Sequence, residues 1–502
     1  MFGNTVYSAS LVIAVFMLGL GAGSYIAGIW ADRRYGSRPD SLLRTYGWFE
    51  LVIALLGLGI SALLPYLGQV SSLVTSYSRE ANGWYGLSTA SYLARVGIAV
   101  VLLAPITLLM GGTLTLLIRH LVRSDLGAGG WRIAVLYAVN TAGAALGCFL
   151  TDVLLVPAYG FRDTQLVAVF FNLVAAAGAF FIARNVRLTN TDTGRKRKRS
   201  VRLQPDAQPS ALSRLPSGAI LLTSLALAMA GFAAMGMEIL WFRHVSILLG
   251  GFRAVFSLLL TVILAGIGAG SLASGFLARR TDSPAQWWML VQGSFVAATL
   301  LGLAVADAGA IELAVTADRA HHAVESRLVR TVTELWFNAS PILLEAGLPA
   351  LLMGFSFPLA NAVIQRAERS VGRRAGVLYF SNTCGAVCGS LAAGFLFLPV
   401  LGIQGSATIL AALAGLAVVP IYFAGADPRT RPANVGALAA SMLLGVTAAG
   451  LWLLLPSAYV INRAVPPSNE QRPLTQREGL TEVITVMDVS GKGRTLFTNG
   501  HP

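Results

Sequence analysis

Charged side chains are what this sequence has least of. Asp, Glu, Lys and Arg make up 12% of its 502 residues, about half of the roughly 25% usual in soluble domains. Set against a 55% hydrophobic content, that scarcity excludes a soluble globule and indicates a polytopic membrane protein. Cysteine is rarer still. Cys148, Cys384 and Cys388 all fall in apolar runs, which argues against a disulfide framework and against a zinc site with its usual spacing. Acidic residues are outnumbered, 23 Asp+Glu to 37 Lys+Arg. The basic excess lies in short stretches between apolar runs, so it speaks for topology and not for nucleic-acid binding. The first thirty residues lack a basic leader and run into Asp32-Arg33-Arg34, so they read as a retained span and not a cleaved signal.

What is abundant is apolar sequence in long runs. A bilayer core about 30 Å thick needs roughly 20 apolar residues per helix. Runs of that kind predict twelve spans near 6–30, 42–67, 92–121, 131–157, 161–184, 217–241, 252–278, 286–306, 339–366, 374–399, 402–424 and 433–456. Alternate loops hold 24 basic residues on one side and eight on the other, with five more in the tail. The basic set is therefore assigned to the cytoplasm, as in the inner membrane of a bacterial-type cell.

The two halves repeat. Gly19-Leu-Gly-Ala-Gly-Ser24 recurs as Gly266-Ile-Gly-Ala-Gly-Ser271, and Leu136-Tyr-Ala-Val-Asn-Thr-Ala-Gly143 as Leu378-Tyr-Phe-Ser-Asn-Thr-Cys-Gly385. Gly147/Gly389, Pro157/Pro399 and Gly160/Gly402 stay in step at an offset of 242 residues. Six spans separate equivalent points, so the copies are parallel, one of the known transporter designs. Residues 217–241 have no upstream counterpart, so the first repeat is expected to lack its leading helix.

Recurring small residues, Gly19/Gly23, Gly266/Gly270, Gly143/Gly147 and Gly385/Gly389, are spaced for close helix approach, with a substrate cleft as the alternative. Asn140 and Asn382 are suited to clamping neighbouring helices or contacting a ligand. Glu50, Asp152, Glu238 and Glu345 are candidates because carboxylates within spans are costly. Glu238 and Arg243 are expected to flank the outer end of one helix, with Trp241 as an interfacial anchor and an ion pair as the plainer role. His321 and His322 fall in the outer segment 307–338, patterned as a surface amphipathic helix or cap. Arg195-Lys-Arg-Lys-Arg199 sits in a linker, 185–216, facing anionic lipid headgroups.

After Pro456 the composition turns polar, with four prolines to Pro473, so 457–479 reads as a linker. Strands are expected at 481–489 and 495–498, joined by Ser490-Gly-Lys-Gly-Arg494. A lone hairpin is marginal in water, so it reads as the opening of a truncated domain.

Gly28-Ile-Trp-Ala-Asp32-Arg33-Arg34-Tyr-Gly36-Ser-Arg38 resembles the loop signature between helices two and three of the major facilitator superfamily. Together with Met110-Gly-Gly-Thr113, Met353-Gly-Phe-Ser356, Glu238-x-x-Trp241-x-Arg243 and the tail 482–500, the chain resembles the membrane portion of fused membrane spermidine synthase-like proteins. The resemblance implies an all-α polytopic membrane protein of two parallel six-helix repeats, major-facilitator-like with the first helix missing, plus one extra helix and a short β-hairpin. Its parts are membrane repeat 1 (1–184), the basic linker (185–216), membrane repeat 2 (217–424), the extra helix (433–456), a linker (457–479) and the start of the synthase-like domain (480–502). It further implies aminopropyl transfer from decarboxylated S-adenosylmethionine to a diamine, by a domain mostly outside this chain. No catalytic, cofactor or metal residue is carried over. A transporter of polyamines or other organic cations is the alternative, with the lipid bilayer as the chain's other partner. The even span count puts the tail on the outer face, opposite the cytoplasm where decarboxylated S-adenosylmethionine is expected.

Overall fold

The computed structural model describes residues 6–35, 41–79, 85–121, 126–197, 217–249, 253–281, 283–307, 309, 327–364, 371–425, 431–464, 471–478, 483–489 and 493–498. The first repeat holds α1 (Val6–Tyr35), α2 (Ser41–Leu63), a short α3 (Leu67–Leu73), α4 (Thr89–Leu121), α5 (Leu126–Leu150) and α6 (Val156–Arg197). A two-stranded hairpin, β1 (Tyr77–Arg79) and β2 (Tyr85–Leu87), sits between α3 and α4. The second repeat holds α7 (Ser217–Leu249), α8 (Arg253–Ala278), α9 (Pro284–Val305), α10 (Arg327–Ile342), α11 (Leu348–Ile364), α12 (Val371–Ala392), α13 (Leu398–Leu416) and α14 (Val418–Ala424). Then follow α15 (Arg431–Leu453), α16 (Tyr459–Ala464) and a sheet of β3 (Gln471–Glu478), β4 (Val483–Val489) and β5 (Gly493–Thr498).

Among the described residues ten stretches are long and apolar enough to cross a membrane, and two of them, Trp131–Asn185 and Arg373–Ala424, run to 55 and 52 residues. A single crossing needs about 20. Each long stretch is broken at one glycine, Gly160 (φ 74°) and Gly402 (φ 65°), which leaves two segments each long enough to cross and accords with the twelve expected spans. That backbone region is open to glycine alone among common residues. Turns of π-helix precede both breaks, at Thr151–Leu155 and Ala393–Phe397, and the paired Pro157 and Pro399 follow. The helix distortion is thus repeated along with the sequence.

Packing repeats as well. In the first copy α1 packs on α4 and α2 on α4; in the second α8 packs on α11 and α9 on α11. Across the halves α1 lies on α12, and its counterpart α8 lies on α5, the reciprocal exchange that a pseudo-two-fold axis requires. Close approach follows from the glycines. A methyl at Gly23 would fall 2.7 Å from the Leu108 carbonyl carbon, and one at Gly270 would fall 2.9 Å from that of Leu351. Gly385 and Gly389 likewise lie against Ala228 and Phe232 of α7. Gly143 and Gly147 depart from the expectation: among the described residues no heavy atom outside α5 lies within 4 Å of a methyl built there. The reason is that α7 has no counterpart packed on α5 among the described residues.

Three other expectations are corrected. Trp241 is no interfacial anchor; α7 continues to Leu249, so Trp241 lies deep within it and is fully buried in the main core. The basic linker is helical as far as Arg197, as an extension of α6. Residues 457–479 are more than a linker, since they contain α16 and β3, and the tail is a three-stranded antiparallel sheet with β4 central. Pro473 is tolerated because β3 is an edge strand, and the register shifts between Pro473 and Thr475. Of the expected outer cap, α10 is described, with Leu335 and Ala339 on the core and Val332 and Trp336 exposed, the period of an amphipathic helix. His321, His322 and 198–216 lie outside the described residues.

Candidate functional site: a cavity between the repeats

A cavity of about 490 Å³ opens where the two repeats meet. It is lined by equivalent residues from each: Tyr137 and Tyr379, Asn140 and Asn382, Thr141 and Thr383, Ala144 and Ala386 at an offset of 242, and Met110 and Met353 at 243. The cavity therefore straddles the pseudo-two-fold axis. Its polar belt comes from α5 and α12, whose Leu-Tyr-x-x-Asn-Thr segments face each other. Thr141 and Thr383 turn their hydroxyls back to the carbonyls of Tyr137 and Tyr379 on their own helices. Tyr137 and Tyr379 also pack around Phe357, at ring separations of 5.3 and 5.6 Å, which makes one wall aromatic.

Two carboxylates reach this space. Glu50 of α2 lines it, with the Tyr46 hydroxyl one turn earlier on its carboxylate. Gln292 of α9, 242 residues further on, lines it from the other repeat. Glu238 of α7 is 8% exposed and has no hydrogen-bond or ion-pair partner among the described residues. No Lys, Arg or His is among the lining residues. A carboxylate buried without a partner is costly, and here both carboxyl groups face a space large enough for a small molecule.

The remaining sequence candidates separate. Asn140 and Asn382 both line the cavity, and neither amide hydrogen-bonds to another described residue. Arg243 is buried at 3% exposure, five residues beyond Glu238 on α7, and is not among the lining residues. Asp152 is buried in the π turn after α5. Glu345 lies away from the cavity, in a π turn (Leu343–Gly347) between α10 and α11. His244 of α7 holds it there, with Nδ1 2.9 Å from both Oε1 and Oε2. Sequence reasoning did not single out His244, Gln292 or the tyrosine pair. The tyrosines had a signal, since they stand in the repeated segment beside Asn140 and Asn382.

At the end carrying the basic loops the repeats are tied. Asp32, at the end of α1, sits 2.8 Å from Arg119 Nε of α4, off the N–H direction and so an ion pair, and accepts the Arg373 backbone N–H of α12 at 2.6 Å. Arg119 is 4% exposed at its side chain. Removing one partner of such a pair costs about 3–5 kcal/mol. Asp32→Asn is accordingly expected to lower the unfolding midpoint in detergent and to speed alkylation of a cysteine placed at Ala31, which is fully buried here; an unchanged midpoint would deny the tie.

A scan against protein-family models finds no match, and neither does a search of the curated proteins. Among solved structures the chain is similar to a bacterial homologue of the iron transporter ferroportin in its outward-facing state with soaked iron, at 14% identity and a TM-score of 0.45, over 84% of this chain and 93% of that one. It is similar to a second structure of a bacterial homologue of the iron transporter ferroportin in an outward-facing state at 15% and 0.47, over 83% and 89%. It is also similar to FucP, a major facilitator superfamily transporter in the outward conformation, at 14% and 0.49, over 84% and 91%. None of these comparisons supports the spermidine synthase-like part of the resemblance. The helices and their pairings define an all-α polytopic membrane protein of two parallel repeats with a cavity at their interface.

Proposed function

We propose that the protein is a major-facilitator-like transporter that moves small organic cations, diamines and polyamines among them, through the cavity between its repeats. The observation that carries this reading is the charge of the lining: Glu50 and Glu238 with no basic residue among the lining side chains. Glu238, without a partner among the described residues, supplies the counter-charge for an ammonium group. Glu50 supplies a second, from the other repeat. The aromatic wall of Tyr137, Phe357 and Tyr379 suits the alkyl stem and adds cation–π attraction. Asn140 and Asn382 offer amide oxygens to the remaining ammonium protons. Alternating access would then be rocking of one repeat against the other about the α1–α12 and α5–α8 contacts.

Aminopropyl transfer, the activity that the synthase-like resemblance implies, would require residues outside this chain, and nothing in the cavity substitutes for them. The test is uptake of labelled putrescine and spermidine by proteoliposomes containing the full chain. Flux above empty liposomes, inhibited by tetraethylammonium and not by acetate, is expected. Flux equal to empty liposomes for every cation tried would overturn the reading.

A further inference from the structure

The His244–Glu345 pair lies outside the cavity lining, and both side chains are 0% exposed. We propose that this pair is a proton-binding site linked to the cavity, through which the protein exchanges protons for its cationic substrate; the linkage, though not the site, rests on the cation reading above. Three observations support it. Nδ1 of His244 is engaged by both carboxylate oxygens, whereas Nε2, equally buried, has no hydrogen-bond partner among the described residues. With Nδ1–H donating to the Glu345 carboxylate, the Nε2 lone pair is the atom that takes up a proton, and the imidazolium so formed is already paired with its counter-ion. Second, Glu345 stands in a π turn, with its backbone pressed against Gly302 of α9; single π turns inside helices occur often at functional sites. Third, the pair breaks the repeat. The residue equivalent to Glu345 at the offset of 243 is Leu102, yet α4 packs on α1 and α2 as α11 packs on α8 and α9. The helix arrangement therefore does not require a carboxylate at this point.

The surroundings hold few competing groups. On α7 itself are Arg243, which keeps its charge at any relevant pH, and Glu238 in the cavity. α10 carries Glu334, and the end of α9 is joined to α16 by the Asp307–Arg463 ion pair at 2.7 Å. α12 carries Arg373 and Arg374 in its first turn and Tyr379, Cys384 and Cys388 further along, and α14 carries Tyr422. The described side chains of α8, α9, α11 and α13 include no titratable group.

Linkage follows from charge. With neutral imidazole the pair carries a net negative charge; protonated, it carries none. His244 lies six residues from Glu238 on one helix, roughly 9 Å along the axis. At that separation and an effective dielectric of about 20, a unit charge alters a cation's affinity about twentyfold. Proton and cation accordingly compete, so cation binding strengthens as pH rises and releases a proton into solution.

The test uses purified full-length protein in detergent. First, infrared difference spectra on acidification without any cation are expected to show imidazole bands in the wild type that His244→Asn lacks. The asparagine amide can still donate to Glu345, so a merely structural tether would survive. Identical spectra would overturn the site. Second, a pH-indicator dye is expected to report proton release on adding putrescine to the wild type, lost in His244→Asn while putrescine still binds. Release unchanged in the variant would overturn the linkage. Glu345→Gln, which keeps the shape of the side chain, is measured beside it and decides the matter should the asparagine variant not fold. Absence of putrescine binding together with intact wild-type imidazole bands would sink the cation reading and leave the proton site standing.

Discussion

Gly389→Leu is expected to pull α12 away from α7 and to leave little folded protein, whereas Gly147→Leu, the same change at the equivalent position, leaves the unfolding midpoint nearly unchanged. At Gly389 even a methyl group would fall 2.7 Å from the Phe232 carbonyl carbon and 2.8 Å from its Cα, and backbone cannot yield as a side-chain tip can. One turn earlier a methyl on Gly385 would fall 2.6 Å from the Ala228 carbonyl carbon, so the helices have no slack to share the strain. Overpacking typically costs about 1–3 kcal/mol, and a helix forced off its neighbour belongs at or above the upper end. At Gly147 no described residue outside its own helix lies within 4 Å of an added methyl, and the site is exposed. Thermal unfolding in detergent, followed by tryptophan fluorescence, distinguishes the two. Equal losses at both positions would show that the first repeat's glycine face is also covered in the assembled protein.

Glu238→Gln is expected to weaken cation transport by about 10- to 100-fold while sparing the fold. A hydrogen bond to a charged group is worth about 1.5–3 kcal/mol, and each 1.4 kcal/mol is a factor of ten. The glutamine keeps the shape of a side chain that makes no hydrogen bond or ion pair with another described residue, so no internal contact is broken. The loss should appear as a raised half-saturation concentration for putrescine in proteoliposomes, with the same variant showing an unaltered unfolding midpoint. Transport at the wild-type half-saturation would remove Glu238 from the site and leave Glu50 as the remaining carboxylate of the cavity.

Much of this architecture was legible along the chain. The spans were visible because a bilayer demands about 20 apolar residues in each helix, and the repeat because segments such as 136–143 and 378–385, with Gly160 and Gly402, recur in step. The candidate site was half legible. Asn140 and Asn382 were found in the repeated segment, and Glu50 and Glu238 by their cost in a span, but nothing in the sequence placed the four around one cavity. Glu345 was found for the same reason and belongs elsewhere, because a buried carboxylate looks alike in sequence whether it faces a cavity or a histidine. Trp241 was misplaced because its depth depends on how far α7 runs, and apolar composition continues without a boundary to Leu249.

The sequence by itself determined the apolar spans, their parallel repeat and the end that carries the basic loops, since each follows from local composition against the thickness and charge of a bilayer. Only the tertiary structure decided which buried polar groups meet. His244 is 101 residues from Glu345, and Tyr137 and Tyr379 come from different halves. The partner of a side chain inside a membrane is chosen by how the helices rotate and cross, which no stretch of local sequence encodes.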